Sequence, residues 1–346
     1  MAQTLANKYR PQDFDSVVGQ GIVVTIVKAM CESTQLSNRN FLFTGPAGTG
    51  KTTLSRIIAK SLNGNTENII EVDAASHSSV DDIRELIQEA SRYPIGSKYK
   101  IIILDEVHSL SNQAFQALLK SLESQVGNTV WILATTNPEK IPATIISRVQ
   151  CFKLSKLSTK DIQDRLKFVL DSEISEGREI TYEDEAVSYL AKLAQGGMRE
   201  ALTLLDKTLA FGSNIDINLL EQALDLPNYD DYFSLLNALV KKDNAEVTAI
   251  VDRVYNSGTN FVKWFEGFHS FLCNIVKFIF LKDISRTMIP YSYSSKLEKY
   301  GSQHAYVCLK LANTIMTMNK ELKTTQYQLE TAMTYLCVPV APKKEK

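Results

Sequence analysis

A glycine-rich segment constrains the fold of this chain more than any other part of its sequence. The segment matches the P-loop pattern and lies between an apolar run at residues 41–43 and a helical pattern beginning near Thr52. Glycines let backbone N–H groups close around phosphates, the lysine reaches the β- and γ-phosphates, and the threonine hydroxyl ligates Mg²⁺. We therefore predict a nucleoside triphosphate site built on Gly45, Pro46, Ala47, Gly48, Thr49, Gly50, Lys51, Thr52 and Thr53.

A second motif of the same kind of site follows the apolar run at residues 101–104. This run ends in two carboxylates, Asp105 and Glu106. We predict that Asp105 holds Mg²⁺ and that Glu106 orients or deprotonates the attacking water. Acidic residues are also common at the ends of strands, so this prediction depends on the P-loop that precedes it.

Polar residues follow a third apolar run, at residues 130–134, in the order Thr135, Thr136 and Asn137. Ligands of open α/β sheets bind at the edge where parallel strands end. Thr136 or Asn137 can therefore sense the γ-phosphate or position the attacking water. The alternative is an ordinary turn that leads to Pro138.

Two arginines are further candidates for phosphate chemistry. Arg148 follows Ser147 beyond this run, and its planar, permanently charged guanidinium can stabilise phosphoryl-transfer charge, often from a neighbouring subunit. The alternative is a surface ion pair. Arg199 begins a predicted helix just after Gly196 and Gly197, so it can reach a nucleotide if its domain folds onto the P-loop domain. The alternative is a solvated side chain.

Hydrophobic patterns divide the 346 residues into three segments. Apolar strands alternate with amphipathic helices up to residue 157, which predicts an α/β domain with a parallel sheet covered on both faces. Residues 158–226 predict a small helical domain whose second helix begins after Thr181 and whose third covers residues 198–211. Residues 227–340 predict an all-helical domain, including one long amphipathic stretch at 305–336. A disordered tail is expected at 341–346.

Bulk composition excludes few functions. The net charge of −1 creates no global field for nucleic acid, so any DNA contact needs a local basic surface. We find neither a targeting segment nor an apolar run near the roughly 20 residues of a membrane helix, and we expect a cytoplasmic protein with no membrane partner. The cysteines are far apart, without a Cys-x-x-Cys pair, and are expected to be buried thiols.

Further short motifs occur in order along the chain. They are Lys8-Tyr9-Arg10-Pro11, Val17-Val18-Gly19-Gln20, Asp73-Ala74-Ala75-Ser76, Asp105-Glu106-Val107-His108, Ala117-Leu118-Leu119-Lys120 and Gly197-Met198-Arg199-Glu200. Together with the P-loop they resemble the AAA+ clamp-loader family, most closely the gamma/tau subunits of bacterial DNA polymerase III. The resemblance is dense from residue 5 to about residue 212 and looser beyond. The resemblance leaves open whether the source is a phage, a bacterium or an organelle.

The resemblance assigns roles that the residues alone leave open. It implies ATP as the nucleotide, Thr136 or Asn137 as a first sensor and Arg199 as a second. It also implies that Arg148 is an arginine finger acting on ATP bound by the adjacent subunit. The residues implied to line the adenine pocket are Tyr9, Arg10, Val17 and Val18.

The same resemblance predicts the architecture and the partners. The three segments become an AAA+ domain, a helical lid domain and a helical collar domain that holds a five-membered ring with other clamp-loader subunits. The ring is expected to grip a sliding clamp and to enclose primed template DNA. ATP binding would open the clamp, and DNA would trigger hydrolysis and release.

The chain departs from the family pattern at several positions. Family members usually carry a four-cysteine zinc module where residues 61–68 connect directly here, so we expect no structural zinc. Basic residues that usually follow Asp73-Ala74-Ala75-Ser76 are replaced by His77-Ser78-Ser79, which weakens phosphate contact there. The cysteine of the family's Ser-Arg-Cys is replaced by Val149. The expected DNA-facing residues are Lys120, His77 and Ser111.

Two other functions compete with a clamp-loader motor. A scaffold subunit would bind nucleotide without hydrolysing it, but Lys51, Thr52, Asp105 and Glu106 are all present, and a scaffold does not need the hydrolysis residues. Another DNA-dependent AAA+ motor, such as a Holliday-junction branch-migration ATPase, ends in a winged-helix domain. The helical pattern after residue 227, without a basic β-hairpin, disfavours that alternative.

Overall fold

The computed structural model describes residues 3–33, 39–64, 68–124, 128–226 and 228–337. The predicted tail at 341–346 lies outside the described residues, as do residues 65–67 of the connection expected to lack zinc. The chain forms two compact units. The first comprises Met1–Ile180 and Leu190–Ser213, and the second comprises Thr181–Tyr189 and Asn214–Lys346.

A five-stranded sheet forms the centre of the first unit. Its strands are β1 (Phe41–Thr44), β2 (Ile69–Asp73), β3 (Lys100–Asp105), β4 (Thr129–Thr135) and β5 (Gln150–Lys153). They lie in the order β2-β3-β4-β1-β5, and every pair is parallel. The strand that leads into the P-loop, β1, therefore lies between β4 and β5. Because β4 also pairs with β3, all three predicted phosphate-site motifs follow neighbouring strands.

Helices cover both faces of this sheet. The helices of the first unit are α1 (Leu5–Lys8), α2 (Gly21–Glu32), α3 (Lys51–Asn63), α4 (Val80–Ala90), α5 (Asn112–Ser124), α6 (Ala143–Ile146), α7 (Thr159–Ser175) and α9 (Met198–Phe211). Alternate side chains of a strand point to opposite faces. Ile102 and Leu104 accordingly pack in one core with α4 and α5, and Ile101 and Ile103 in another with α2 and α3. The predicted parallel sheet with two covered faces is confirmed.

Local sequence signals explain where the last helices of this unit begin and end. Ser158 caps α7 in a capping box, in which its hydroxyl accepts from the Asp161 N–H and the Asp161 carboxylate accepts from the Ser158 N–H. Gly197 and Gly212 flank α9, which covers the predicted residues. The preceding helix, predicted to begin after Thr181, is present but begins only at Asp184. Thr181 lies in the two-residue strand β6 (Thr181–Tyr182), and α8 covers Asp184–Leu193.

One strand of the sheet, β5, was not predicted. It has only four residues, and its side chains alternate between half-buried and exposed because it lies at the edge of the sheet. Such a strand lacks the continuous apolar run that marks the central strands. It matters for the site because β5 pairs along the whole length of β1.

The second unit is mainly helical. Strand β7 (Asn214–Ile215) pairs in parallel with β6, and the helices after it are α10 (Ile217–Ala223), α11 (Tyr229–Lys241), α12 (Asn244–Asn256), α13 (Phe261–Leu281), α14 (Ser294–Leu297), α15 (Ser302–Leu322) and α16 (Gln328–Cys337). Aromatic rings of α11 and α13 fill its core. Tyr232, for example, is buried, packs edge-on against Trp264 and donates a hydrogen bond to the Trp264 carbonyl at 2.8 Å.

Two further expectations needed correction. The single amphipathic stretch predicted at 305–336 is two helices, α15 and α16, because Thr324 and Thr325 bond local backbone groups instead of continuing the helix. The cysteines were expected to be buried, yet Cys151 and Cys273 are exposed. Within the described residues, no helix combines the length and apolar character needed to cross a membrane.

Candidate nucleotide-binding site

A cavity of about 230 Å³ lies where β1 and β3 end. Its lining includes the P-loop from Ala47 to Thr52, the carboxylates Asp105 and Glu106, and residues of the N-terminal segment and α9. Residues predicted for the nucleotide that line it are Tyr9, Arg10, Val17, Val18, Ala47, Gly48, Thr49, Gly50, Lys51, Thr52, Thr53 and Arg199. Lining residues that were not predicted are Ala6, Pro11, Leu157, Arg165, Met198 and Leu202.

Gly45 and Pro46 lie behind the cavity wall and hold the P-loop lysine. The Lys51 ammonium donates hydrogen bonds to the Gly45 and Pro46 carbonyls, both at 2.9 Å. Burial lowers the pKa of Lys51, whereas the negative charges of Glu106 and Asp105 act to raise it. A side chain at position 45 is excluded twice over, since Gly45 has φ +142° and a Cβ there would lie 2.3 Å from the Leu154 carbonyl oxygen.

The two predicted Mg²⁺ ligands are in direct contact. The Thr52 hydroxyl, in the first turn of α3, donates a hydrogen bond to Asp105 Oδ2 at the end of β3. A hydroxyl and a carboxylate at one point, beside the P-loop, form the oxygen-rich donor set that Mg²⁺ uses together with phosphates and water. These two residues therefore fit the ion that the sequence predicts here.

Glu106 is held in an uncommon backbone conformation next to this pair. Its φ is +47° and its ψ is +43°, a left-handed conformation that costs a non-glycine residue about 1–2 kcal/mol. The Glu106 N–H donates to Asp105 Oδ1 at 2.9 Å. Its Oε2 accepts hydrogen bonds from the Thr136 N–H at 3.2 Å and the Thr136 hydroxyl at 2.9 Å. Thr136 thus touches the predicted base, whereas the Asn137 N–H bonds to Thr135 Oγ1 at 3.1 Å.

The N-terminal segment reaches the cavity because helix α7, beyond the sheet, anchors it. Tyr9, which lines the cavity, donates its hydroxyl to Glu173 Oε1 at 2.8 Å, and its carbonyl accepts from Arg165 at 2.8 Å. Lys8 pairs with the same Glu173 at 2.6 Å. Glu173 lies on α7 and is only 3% exposed. Tyr9, one of the predicted adenine-side residues, is therefore fixed by lid residues more than 150 positions later in the chain.

The start of α9 contacts the P-loop directly. The Met198 N–H donates to the Gly48 carbonyl at 2.9 Å. Gly48 and Gly197 approach so closely that a Cβ at position 48 would lie 3.0 Å from the Gly197 Cα. This contact places Arg199 in the cavity wall, which is the arrangement that its predicted contact with the nucleotide required.

Arg148 lies outside the cavity, at the end of α6. Its Nε donates to Glu123 Oε1 at 2.6 Å, and its Nη1 donates to the Thr144 carbonyl and to Ser147 Oγ, both at 2.9 Å. The structure therefore does not bring this guanidinium to the P-loop of its own chain. Both alternatives, an arginine finger for a neighbour and a surface ion pair, are compatible with this position.

The three predicted DNA-facing residues are all exposed. His77 and Ser111 lie on adjacent segments, since the Ser111 N–H donates to the Ser78 carbonyl at 3.3 Å. Lys120 is nine residues further along, on α5, which corresponds to about 13 Å of helix rise. His77 thus lies in the loop before α4, Ser111 lies just before α5, and Lys120 lies on α5.

Two family models match the first unit and its lid helices. Residues 19–158 match the model of the DNA polymerase III delta subunit, and residues 161–214 match that of the ATPase lid domain of the DNA polymerase III clamp loader subunit. The DNA polymerase III gamma subunit of one Buchnera aphidicola subspecies (from Acyrthosiphon pisum) is 30% identical, with 93% of this chain and 94% of the relative covered. The gamma subunit of a second Buchnera aphidicola subspecies (from Schizaphis graminum) is 35% identical, with 74% of this chain and 75% of the relative covered. This chain belongs to the DNA polymerase III gamma/tau subunit family.

Other members of the gamma/tau family are longer than this chain. The tau subunit of Escherichia coli is 34% identical over 76% of this chain, but only 43% of the relative is covered. For the tau subunit of Bacillus subtilis the covered share is 50%. The chain therefore spans about half of these tau subunits.

A likeness to solved structures concerns the fold. The Holliday junction branch migration motor RuvB of Thermotoga maritima superposes with a TM-score of 0.53, with 84% of this chain and 98% of that chain covered. The two sequences are 21% identical. At this level the comparison shows a shared AAA+ fold, and it carries no argument that this gamma/tau family member moves Holliday junctions.

Sequence reasoning missed residues that act on the site from a distance. His108 lies 3.2 Å from Glu106 Oε2 and 3.1 Å from Thr135 Oγ1, and its place two residues after Glu106 was the available signal. Gln20 was quoted only as part of a motif. It is buried and bonds the Ser155 carbonyl at 2.7 Å, which ties the segment before α2 to the residues after β5. Glu173 carried no sequence signal at all.

Proposed function

We propose that this chain is the ATP-binding and hydrolysing motor subunit of a sliding-clamp loader, which opens a DNA polymerase clamp and places it on primed template DNA. The observation that carries the proposal is the convergence on one cavity of the P-loop, the Thr52–Asp105 pair and Glu106. Because this cavity occurs in a member of the gamma/tau family, it supports the function of a clamp loader over that of another type of ATPase.

The proposed chemistry assigns each residue a separate task. P-loop N–H groups and Lys51 bind the phosphates of ATP, and Tyr9, Arg10, Val17 and Val18 surround the adenine. Thr52 and Asp105 would hold Mg²⁺, which supplies charge neutralisation on the phosphates when bound. Glu106, restrained by Thr136, accepts the proton of the attacking water. Arg199 contacts the nucleotide from α9, so that the position of the lid follows the state of the nucleotide.

Assembly is part of the same proposal. We assign residues 1–157 to an AAA+ domain, 158–226 to a lid and 227–340 to a collar that joins other clamp-loader subunits in a five-membered ring. Arg148 then serves the ATP site of the adjacent subunit. Lys120, His77 and Ser111 face DNA, and the complex works in the cytoplasm without zinc. The shared compact unit of the P-loop and the lid helices α7 and α9 supports coupling between nucleotide and lid.

The deciding experiment is steady-state ATP hydrolysis by the full chain with its cognate sliding clamp and primed template DNA, added singly and together. Lys51→Ala is the blank, and Lys60→Ala is the matched control because this lysine is exposed on the same helix. Synergistic stimulation by clamp and DNA supports the loader. Turnover that responds to DNA but not to the clamp indicates another DNA-dependent AAA+ motor, and nucleotide binding without turnover indicates a scaffold.

A further inference from the structure

The carboxylate of Glu106 is restrained on one oxygen only. Both hydrogen bonds from Thr136 end on Oε2, and the His108 Nδ1 lies 3.2 Å from the same atom. Oε1 accepts no hydrogen bond from any residue that the structure describes. A base held in this way has one oxygen committed to the protein and one available to a water molecule.

His108 is well placed to act on that committed oxygen. It lies in the short 3₁₀ helix Val107–Ser109, directly after the left-handed Glu106, and its side chain is 17% exposed. Its Nδ1 also lies 3.1 Å from Oγ1 of the buried Thr135, which in turn accepts the Asn137 N–H at 3.1 Å. One ring nitrogen therefore joins the turn after β3 to the turn after β4.

From this geometry we propose that His108 is a positioning residue for ATP hydrolysis: together with Thr136 it holds Oε2 of Glu106, so that Oε1 takes the proton of the attacking water. The inference rests on the proposed function, in which Glu106 is the base. The proposal requires the proton to be on the His108 Nδ1, because an ionised carboxylate only accepts hydrogen bonds. His108 itself exchanges no proton with the substrate.

The position of Nδ1 allows a matched set of variants. An asparagine amide nitrogen is three bonds from Cα, as Nδ1 is, whereas a glutamine amide nitrogen is four bonds away. His108→Asn therefore returns a donor to Oε2, and His108→Gln supplies the same chemical group at the wrong distance. His108→Ala removes the donor altogether.

The test is basal ATP turnover by the full chain, without clamp or DNA, together with ATP affinity and thermal stability. We expect His108→Ala and His108→Gln to lower kcat about 10-fold, because misplacing a catalytic group by a fraction of an ångström costs this much, with ATP affinity unchanged. His108→Asn is expected to stay within about 3-fold of the wild type, since its donor is restored. Equal losses in all three variants, or wild-type rates in all three, would overturn the proposal.

A double-variant cycle separates action through Glu106 from action elsewhere. In a Glu106→Gln background, His108→Ala should lower the residual rate no further, because the group that it positions is already neutral. A full additional loss would contradict the inference.

The ¹⁵N NMR signal of the His108 Nδ1 is a readout that needs no turnover. A protonated Nδ1 is expected. An unprotonated Nδ1 would contradict the inference even if the chain proves to be a scaffold.

Discussion

The guanidinium of Arg148 lies against the carboxylate of Glu123, with Nε 2.6 Å from Oε1. Glu123 lies in the last turn of α5, and Arg148 follows the last turn of α6. Because this pair is remote from the cavity of its own chain, Arg148 has a catalytic role only if it reaches a nucleotide on another subunit.

We expect Arg148→Ala to lower clamp- and DNA-stimulated hydrolysis about 100-fold or more, as loss of an arginine finger does, with ATP binding unchanged. Arg84→Ala is the matched control, since Arg84 is exposed and pairs with Asp81. Mixing Arg148→Ala with Lys51→Ala chains should restore part of the activity, because the Lys51→Ala chain still supplies Arg148 to an intact neighbour. No recovery on mixing would contradict action between subunits.

Thr136, rather than Asn137, should be the residue that senses the state of the site. Its hydroxyl contacts Glu106, whereas Asn137 contributes its backbone N–H to Thr135. We expect Thr136→Val to lower kcat about 10-fold at unchanged ATP affinity, since the base loses one of its restraints. Asn137→Ala serves as the control and should change kcat less than about 2-fold. The reverse order would assign the sensor to Asn137.

Glu173 should make the free energy of unfolding of the chain decrease at acidic pH. Burial acts to raise its pKa, but hydrogen bonds from Arg178, Lys8 and Tyr9 outweigh it and lower the pKa to about 2. Its contribution is therefore complete above the unfolded pKa of about 4.5 and is lost as the pH falls toward 2. We expect Glu173→Gln to lower the free energy of unfolding by about 2 kcal/mol at pH 7, and by less at pH 3.

Urea unfolding of the full chain at both pH values measures this difference. Glu176→Gln is the control, since Glu176 is exposed and pairs with the same Lys8. The control should change the free energy of unfolding by less than about 0.5 kcal/mol. A deficit of Glu173→Gln that is the same at pH 3 as at pH 7 would argue that the lost contact is not one of charge.

Glu221 in the second unit should act in the opposite direction. Burial, and then the negative charge of Asp230, raise its pKa to about 7, and its buried Oε1 has no hydrogen-bond partner among the described residues. Its contribution to stability is therefore complete below the unfolded pKa and is lost as the pH rises through about 7.

We expect Glu221→Gln to melt roughly 2–4 °C above the wild type at pH 8, and to show a smaller gain at pH 6, because the variant cannot ionise. Differential scanning calorimetry of the full chain at the two pH values tests this. Glu298→Gln, at an exposed glutamate of the same unit, is the control. An equal gain at pH 6 and pH 8 would rule out ionisation of Glu221 as the cause.

The sequence predicted those parts of the site in which one contiguous segment contains both the functional residue and the strand or helix that positions it. The P-loop follows a buried strand and opens a helix, so Lys51 and Thr52 could be assigned directly. Asp105 and Glu106 likewise end a buried strand. Arg199 needed the resemblance, since its place depends on the contact between Gly48 and Gly197, which no local pattern encodes.

The parts that could not be predicted depend on distant pairs or on weak edges. Strand β5 alternates between half-buried and exposed residues and resembles a loop in sequence. Glu173 is an ordinary helical glutamate until Tyr9 and Lys8 pack against it. His108 could be quoted within a motif, but the sharing of Glu106 Oε2 with Thr136 follows only from the pairing of β3 with β4.

The anchoring of the N-terminal segment also sets an order of events during synthesis. Leu5 donates its N–H to Asp206 at 2.9 Å, and the two residues are 201 positions apart in the sequence. Tyr9 and its hydrogen-bond partner Glu173 are 164 positions apart. At about 5–20 residues per second, a ribosome needs roughly 10–40 s to translate the chain from Leu5 to Asp206. The sheet and the P-loop are translated well within that time, so the nascent chain carries an incomplete nucleotide site until the lid emerges.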